Sequence, residues 1–138
     1  MTTRPHQLLT PAEKAHLRHL VEAVERDTGA EVATLVMAHV ADVEQFATTY
    51  FNRVGIGKRE RDNGVLILVV VDGRQARIEV GHGLESVVTN EVAKRIIAEV
   101  MAPEFRRGRY AAGLARGVEA VGDLIRSAHR PDPSGREP

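Results

Sequence analysis

Apolar residues recur along this chain with two different periods, and each change of period marks a new element. Leu17, Leu20, Val21 and Val24 keep the spacing of one helix face. Thr10-Pro11-Ala12-Glu13 reads as the start of that helix. Thr10 can cap, Pro11 suits the first helical position and Glu13 completes a capping box. Gly29 provides the stop. Glu31 to Val40 is rich in Val, Leu and Ala with little alternation, which predicts a buried strand. Asp42 to Gln45 repeats the capping pattern, and Val43, Phe46, Ala47 and Tyr50 give a second helix its apolar face.

Val65 to Val71 is apolar throughout, so the predicted strand is central and covered on both faces. Asp72-Gly73 is a hairpin turn signal. From Gln75 to Val80 the chain alternates, with Ala76, Ile78 and Val80 on one face and Arg77 and Glu79 on the other. That predicts a strand near an edge with one wet face. Gly81 to Glu85 is a tight loop, and Ser86 to Val88 could add a short fourth strand. Thr89 caps a helix carrying Val92, Ala93, Ile96, Ile97 and Val100, expected to end before Pro103. The last helix runs from Tyr110 to Ala128, with Leu114, Val118, Val121 and Ile125 on its stripe.

A right-handed crossover makes the first two strands parallel, and the hairpin adds an antiparallel third. The expected fold class is therefore α/β: a small mixed sheet of three to four strands sandwiched between helices on both faces. The expected organisation is a flexible arm at 1–9, one domain at 10–128 and a disordered, proline-containing tail at 129–138.

Composition narrows the function classes. A chain of 138 residues, 43% of them hydrophobic, supports one core. Lys plus Arg and Asp plus Glu are 19 each, a net charge of zero. That balance argues against a nucleic-acid binder and against a polybasic membrane anchor. Cysteine is absent, which excludes disulfides, thiolate metal sites and a Cys nucleophile. The longest apolar run has seven residues, against about 20 for a spanning helix. Met1 to Gln7 lacks the apolar stretch of a secretory signal. The expectation is a soluble cytoplasmic protein, or an envelope or periplasmic one if a leader has been removed.

Several ordered motifs resemble the TPM domain family. They are Val54-Gly-Ile-Gly-Lys58, Asp62-Asn-Gly-Val-Leu66, Arg77-Ile-Glu-Val-Gly-His-Gly-Leu-Glu85, and Arg95-Ile-Ile97 with Phe105, Gly108, Tyr110 and Gly113. Leu9-Thr10 and Glu25-x-x-Thr-Gly29 fit as well, so the resemblance covers roughly residues 8 to 126. It implies an α/β sandwich with acidic residues around one loop cluster, divalent-cation binding in some members, and phosphatase activity in a thylakoid-lumen member. Others are bacterial envelope proteins, and one is an animal receptor-associated protein. The chain departs from the family pattern at Val54, where an aromatic is usual, and at Asn90 and Arg109, where acids are common.

The candidate site is acidic. Asp62 and Asn63 precede the central strand, Glu79 lies late in the next one, and Glu85 follows in the loop. Asp62 and Glu85 can lie at the same end of the sheet. Asp62, Asn63 and Glu85 are the candidate ligands for Ca²⁺ or Mg²⁺, which take such oxygen donors. A metal there could orient a phosphate ester and acidify a bound water, with Glu79 as support or base. The alternative is that Asp62 and Asn63 build a turn while Glu79 and Glu85 are solvated or paired with arginine.

The glycines at 55, 57, 81 and 83 are read as backbone geometry rather than a phosphate nest. No P-loop or dinucleotide fingerprint is present, so no organic cofactor is expected. His82 could serve as a general acid or a pH-sensitive contact, and an ordinary loop histidine is the other reading. His16 and His19 are read as surface residues. Lys58-Arg59 with Arg61, and Arg106-Arg107 with Arg109, could attract an acidic or phosphorylated partner, or could be solvated faces. Gly113-x-x-x-Gly117 is read as close packing of the last helix on the sheet.

With two family acids replaced, the favoured function is a binding or assembly module. It would engage a protein partner, which could itself be membrane-associated, with Ca²⁺ as the candidate cation. The alternative is a weak metal-assisted phosphomonoesterase. No nucleophilic triad or phosphatase Cys loop is visible.

Overall fold

The computed structural model describes residues 8–57 and 62–129. The expected arm therefore lies outside the described residues apart from Leu8 and Leu9, and the expected tail apart from His129. The first helix, α1, spans Pro11–Thr28 and begins with the capping box. The Glu13 N–H donates to the Thr10 hydroxyl at 3.1 Å, and the Thr10 N–H donates to the Glu13 carboxylate at 2.8 Å. Gly29 ends it at φ 80°, a left-handed conformation that suits glycine. The chain turns directly into β1, Glu31–Met37. Next come α2, Val43–Val54, capped by Asp42, and then β2, Gly64–Val70, and β3, Gln75–Val80.

The strand order is β1-β2-β3, with β1 parallel and β3 antiparallel to β2. Every residue of β2 is buried, because its two faces feed two cores. Val65, Ile67 and Val69 join the larger core with Leu17 and Val24 of α1. Leu66, Leu68 and Val70 join a smaller one with Ala47 of α2 and Ile56. Helices thus cover both faces of a small mixed sheet, as the unbroken apolar run implies.

Two expectations fail locally. Ser86 to Val88 form no fourth strand, and the sheet has three strands among the described residues. The N–H groups of Val87 and Val88 both turn to the Leu84 carbonyl, at 3.0 and 2.8 Å, extending the 3₁₀ turn His82–Leu84. Val88 is apolar because it is a core residue, 2% exposed.

Nor does the helix end before Pro103. The α3 helix, Asn90–Arg95, continues through a π turn, Ile96–Met101, into α4, Ala102–Arg106. In a continuous α ladder the proline ring would collide with the carbonyl four residues back. The π turn shifts the register, with the Ala102 N–H reaching the Ile97 carbonyl, and Pro103 falls in the first turn of α4, where its missing N–H is harmless.

The last helix, α5, spans Tyr110–His129. Its small residues do not face the sheet as expected. A Cβ on Gly113 would lie 2.5 Å from the Phe105 ring, and one on Gly117 would lie 2.8 Å from the Met101 sulfur. The glycines let α5 approach the π turn and α4. No helix among the described residues is long and apolar enough to cross a membrane.

Candidate functional site

Three loops meet at the end of the sheet where β1 and β2 begin and β3 ends. Their backbones are joined by short hydrogen bonds. The Glu31 N–H donates to the Asn63 carbonyl at 3.0 Å, the Gly81 N–H to the Gly64 carbonyl at 2.8 Å, and the Gly83 N–H to the Asp62 carbonyl at 3.0 Å. Glycine is what permits this approach. A Cβ on Gly57 would sit 2.5 Å from the Gly64 nitrogen, and one on Gly64 would sit 2.5 Å from the Ile56 carbonyl oxygen. A Cβ on Gly81 would overlap the Asp62 carbonyl. Gly57 and Gly64, at the two ends of the α2–β2 connection, and Gly81, after β3, therefore interlock through backbone.

The junction positions the candidate residues. Asp62 is exposed and left-handed, at φ 48°, a conformation that Asp tolerates better than most residues. Asn63 is buried at 8% exposure, and its side-chain amide donates to the Gly29 carbonyl at 2.9 Å. It thus ties the end of α1 to the start of β2. Glu79 stands opposite Leu66, on the α2 side of the sheet. Its side chain is only 16% exposed and receives Arg77 at 2.8 Å. The face predicted to be wet is thus partly covered, and its acid is paired with its own strand's arginine.

Glu85 is exposed and meets His82 Nδ1 at 2.5 Å. Residues three apart eclipse in a 3₁₀ turn, so the local conformation itself makes this pair.

The acids therefore fall into two places. Glu79 and Glu85 line a polar recess of about 420 Å³ along β3, together with Arg77, Thr89 and Asn90. Asp62 and Asn63 lie across the glycine junction and do not line it. Among the described residues, no three His, Asp or Glu side chains are placed to hold a metal ion together. The Lys58, Arg59 and Arg61 group lies outside the described residues. Arg106, Arg107 and Arg109 are exposed where α4 gives way to α5, and Arg107 lies 3.9 Å from Glu104. His16 and His19 are exposed on α1.

Sequence reading missed one participant. Glu31 appeared only as the first residue of a strand, yet its carboxylate accepts the Gly57 N–H at 3.4 Å and reaches a second loop of the junction. An acid placed just after a helix-terminating glycine and before an apolar run is the available signal. The His82–Glu85 pair was missed as well, since Glu85 was expected to be solvated or paired with arginine; the three-residue spacing within a glycine-flanked turn is its signal.

An α/β sandwich whose loops interlock through glycine words at one end defines a particular class of small domain. The chain belongs to the TPM domain family, whose model matches residues 2–124. Among solved structures, it is similar to the N-terminal domain of a protein from P. gingivalis, with 32% identity and a TM-score of 0.75. That likeness covers 88% of this chain and 79% of the other. It is also similar in fold to the BA42 protein of the psychrophilic bacterium Bizionia argentinensis, at 22% identity and a TM-score of 0.76, covering 94% and 89% of the two chains. No curated protein matches the chain.

Proposed function

We propose that this TPM domain is a binding or assembly module that presents the loop end of its sheet to a protein partner. The interlocked glycine junction carries this reading. It holds residues 55–57, 62–64 and 81–83 in one arrangement and leaves Asp62, His82 and Glu85 exposed beside it. Loops fixed in advance lose little conformational freedom on binding, which favours recognition. Hydrolysis would instead need carboxylates free to hold a cation and a water. Glu79 is engaged by Arg77 and Glu85 by His82. Among the described candidates, the cation component of the reading, Ca²⁺ or Mg²⁺, rests chiefly on the exposed Asp62 carboxylate.

The deciding experiment measures phosphomonoester hydrolysis by the full chain with and without Ca²⁺, Mg²⁺ and Mn²⁺, beside Asp62→Ala and Glu85→Ala. Background turnover, equal in all three proteins and indifferent to metal, is expected. Metal-dependent turnover lost in both variants would replace this reading with the phosphomonoesterase one. Calorimetric titration with Ca²⁺ tests the cation. Heat that disappears in Asp62→Ala assigns it to the loop end, and no heat in the parent chain removes it.

A further inference from the structure

Among the described residues, β1 is an edge strand, with β2 its only neighbour in the sheet. The Glu31 N–H goes to Asn63 at 3.0 Å and the Met37 carbonyl receives the Val71 N–H at 2.9 Å, so the odd-numbered residues face β2. Alternation along a parallel strand then turns the N–H and C=O groups of Val32, Thr34 and Val36 to the open side. Natural edges are usually guarded by an inward charge, a proline, a bulge or a covering element. The segment Glu31-Val-Ala-Thr-Leu-Val-Met37 has no charge or proline after its first residue, and its register with β2 is unbroken. Only Val32 is buried, and the rest are half-exposed.

The edge is apolar on both faces. Val36 packs on the larger core, and Ala33, Leu35 and Met37 pack on the smaller one. Beside it runs a groove of about 510 Å³ between β1 and α1, lined by Leu9, Leu17 and Val21 and by two exposed cations, Lys14 and Arg18. These cations are one helical turn apart, and among the described residues neither has a carboxylate within ion-pair distance.

We propose that this edge binds an extended peptide segment of a partner protein, which adds to β1 as a further strand and sets acidic side chains against Lys14 and Arg18. Main-chain bonds to Val32, Thr34 and Val36 supply affinity, and the groove and its cations supply side-chain preference. A second copy of the chain fits less well. Two-fold antiparallel pairing of β1 with β1 would put both α1 helices on one face of the joined sheet, with Lys14 and Arg18 of each copy beside the shared seam. Like charges there oppose association, whereas an acidic strand complements them. This surface runs along the side of the sheet and is separate from the loop end.

The probe is a capped peptide of alternating Val and Glu, compared with its Val and Lys counterpart. Each is titrated into the full chain, with amide hydrogen exchange read by NMR. In the free chain the amides of the half-exposed Thr34 and Val36 should exchange readily at every protein concentration. The Glu peptide should protect them, and the Lys peptide should bind at least about tenfold more weakly. Lys14→Glu with Arg18→Glu, both on exposed positions, should reverse that order. Thr34→Pro removes one outward N–H without touching the ladder to β2, and should weaken the Glu peptide by about tenfold with an unchanged circular dichroism spectrum.

Protection in the free chain at all concentrations would assign the edge to the chain's own residues. Protection that grows with concentration would assign it to a second copy. Equal binding of the two peptides, or indifference to the charge reversal, would remove acid recognition. Each of these results overturns the proposal.

Discussion

The carbonyl of Asp62 occupies the space that a side chain on Gly81 would need. Gly81 has φ −69°, a backbone any residue adopts, so space and not dihedral freedom requires glycine there. Gly81→Ala is expected to destabilise the fold by about 2 kcal/mol or more, because the overlapped atoms are backbone and cannot swing aside. Gly55→Ala is the control. Gly55 is left-handed at φ 72°, but a methyl added there would meet nothing within 4 Å, so its cost is confined to conformational strain of about 1 kcal/mol. Urea denaturation of both variants measures the difference. Equal costs would mean that the three loops separate readily and do not form a rigid platform.

Asn63 sits among the candidate ligands yet holds the fold together. Its amide reaches the Gly29 carbonyl at 2.9 Å from a buried position. Asn63→Asp replaces that donor with an acceptor facing an acceptor and places a carboxylate where it is poorly hydrated. The expected loss is about 2 kcal/mol, read as a lowered denaturation midpoint with an unchanged m-value. Added Ca²⁺ should not restore it. Recovery by Ca²⁺ would instead make position 63 a cation ligand and return weight to the metal reading.

How far this was readable beforehand depended on whether the cause was local. Thr10, Glu13 and Gly29 announce α1 because capping chemistry involves near neighbours in sequence. The run from Val65 onward announces a central strand because burial on both faces leaves no polar position. Pro103 misled, since a single π turn upstream is invisible in residue pattern and removes the usual reason for a helix to stop. Val88 misled because β-branched apolar residues serve a core turn as well as a strand. The acids were legible as residues but not as a site. Whether Glu79 faces Arg77 or Asp62 depends on the strand face and on a junction built by glycines distant in sequence.

The two glycines of α5 should respond differently to alanine. Replacing a helical glycine gains about 1 kcal/mol of propensity, which is offset by whatever the new methyl meets. At Gly117 it meets the flexible Met101 side chain, nearest at 2.8 Å, which can move. At Gly113 it meets the Phe105 ring at 2.5 Å and the Met101 carbonyl oxygen at 3.1 Å, and the ring is itself stacked on Tyr110 at 5.5 Å. Gly117→Ala is expected to be neutral within about 1 kcal/mol, and Gly113→Ala to cost about 2 kcal/mol or more. Thermal denaturation of the two single variants ranks them. The reverse order would mean that α5 is held by its contact with the π turn rather than with α4.

Arg77 and Glu79 form the most covered ion pair among the candidate residues, at 37% and 16% side-chain exposure and 2.8 Å apart. Removing the arginine leaves a carboxylate opposite Leu66, beside the smaller core, without its partner. Arg77→Met is therefore expected to cost about 1 kcal/mol, a figure kept small because Arg77 is partly solvated. Glu79→Gln in the same chain should recover part of that loss, since a neutral amide is less costly to leave unpaired than a carboxylate. The double-mutant cycle over denaturation free energies isolates the pair. A coupling near zero would mean that Arg77 does not hold Glu79 in solution. The Glu79 carboxylate would then be unengaged in the recess it lines with Glu85, and the hydrolytic reading would regain its candidate base.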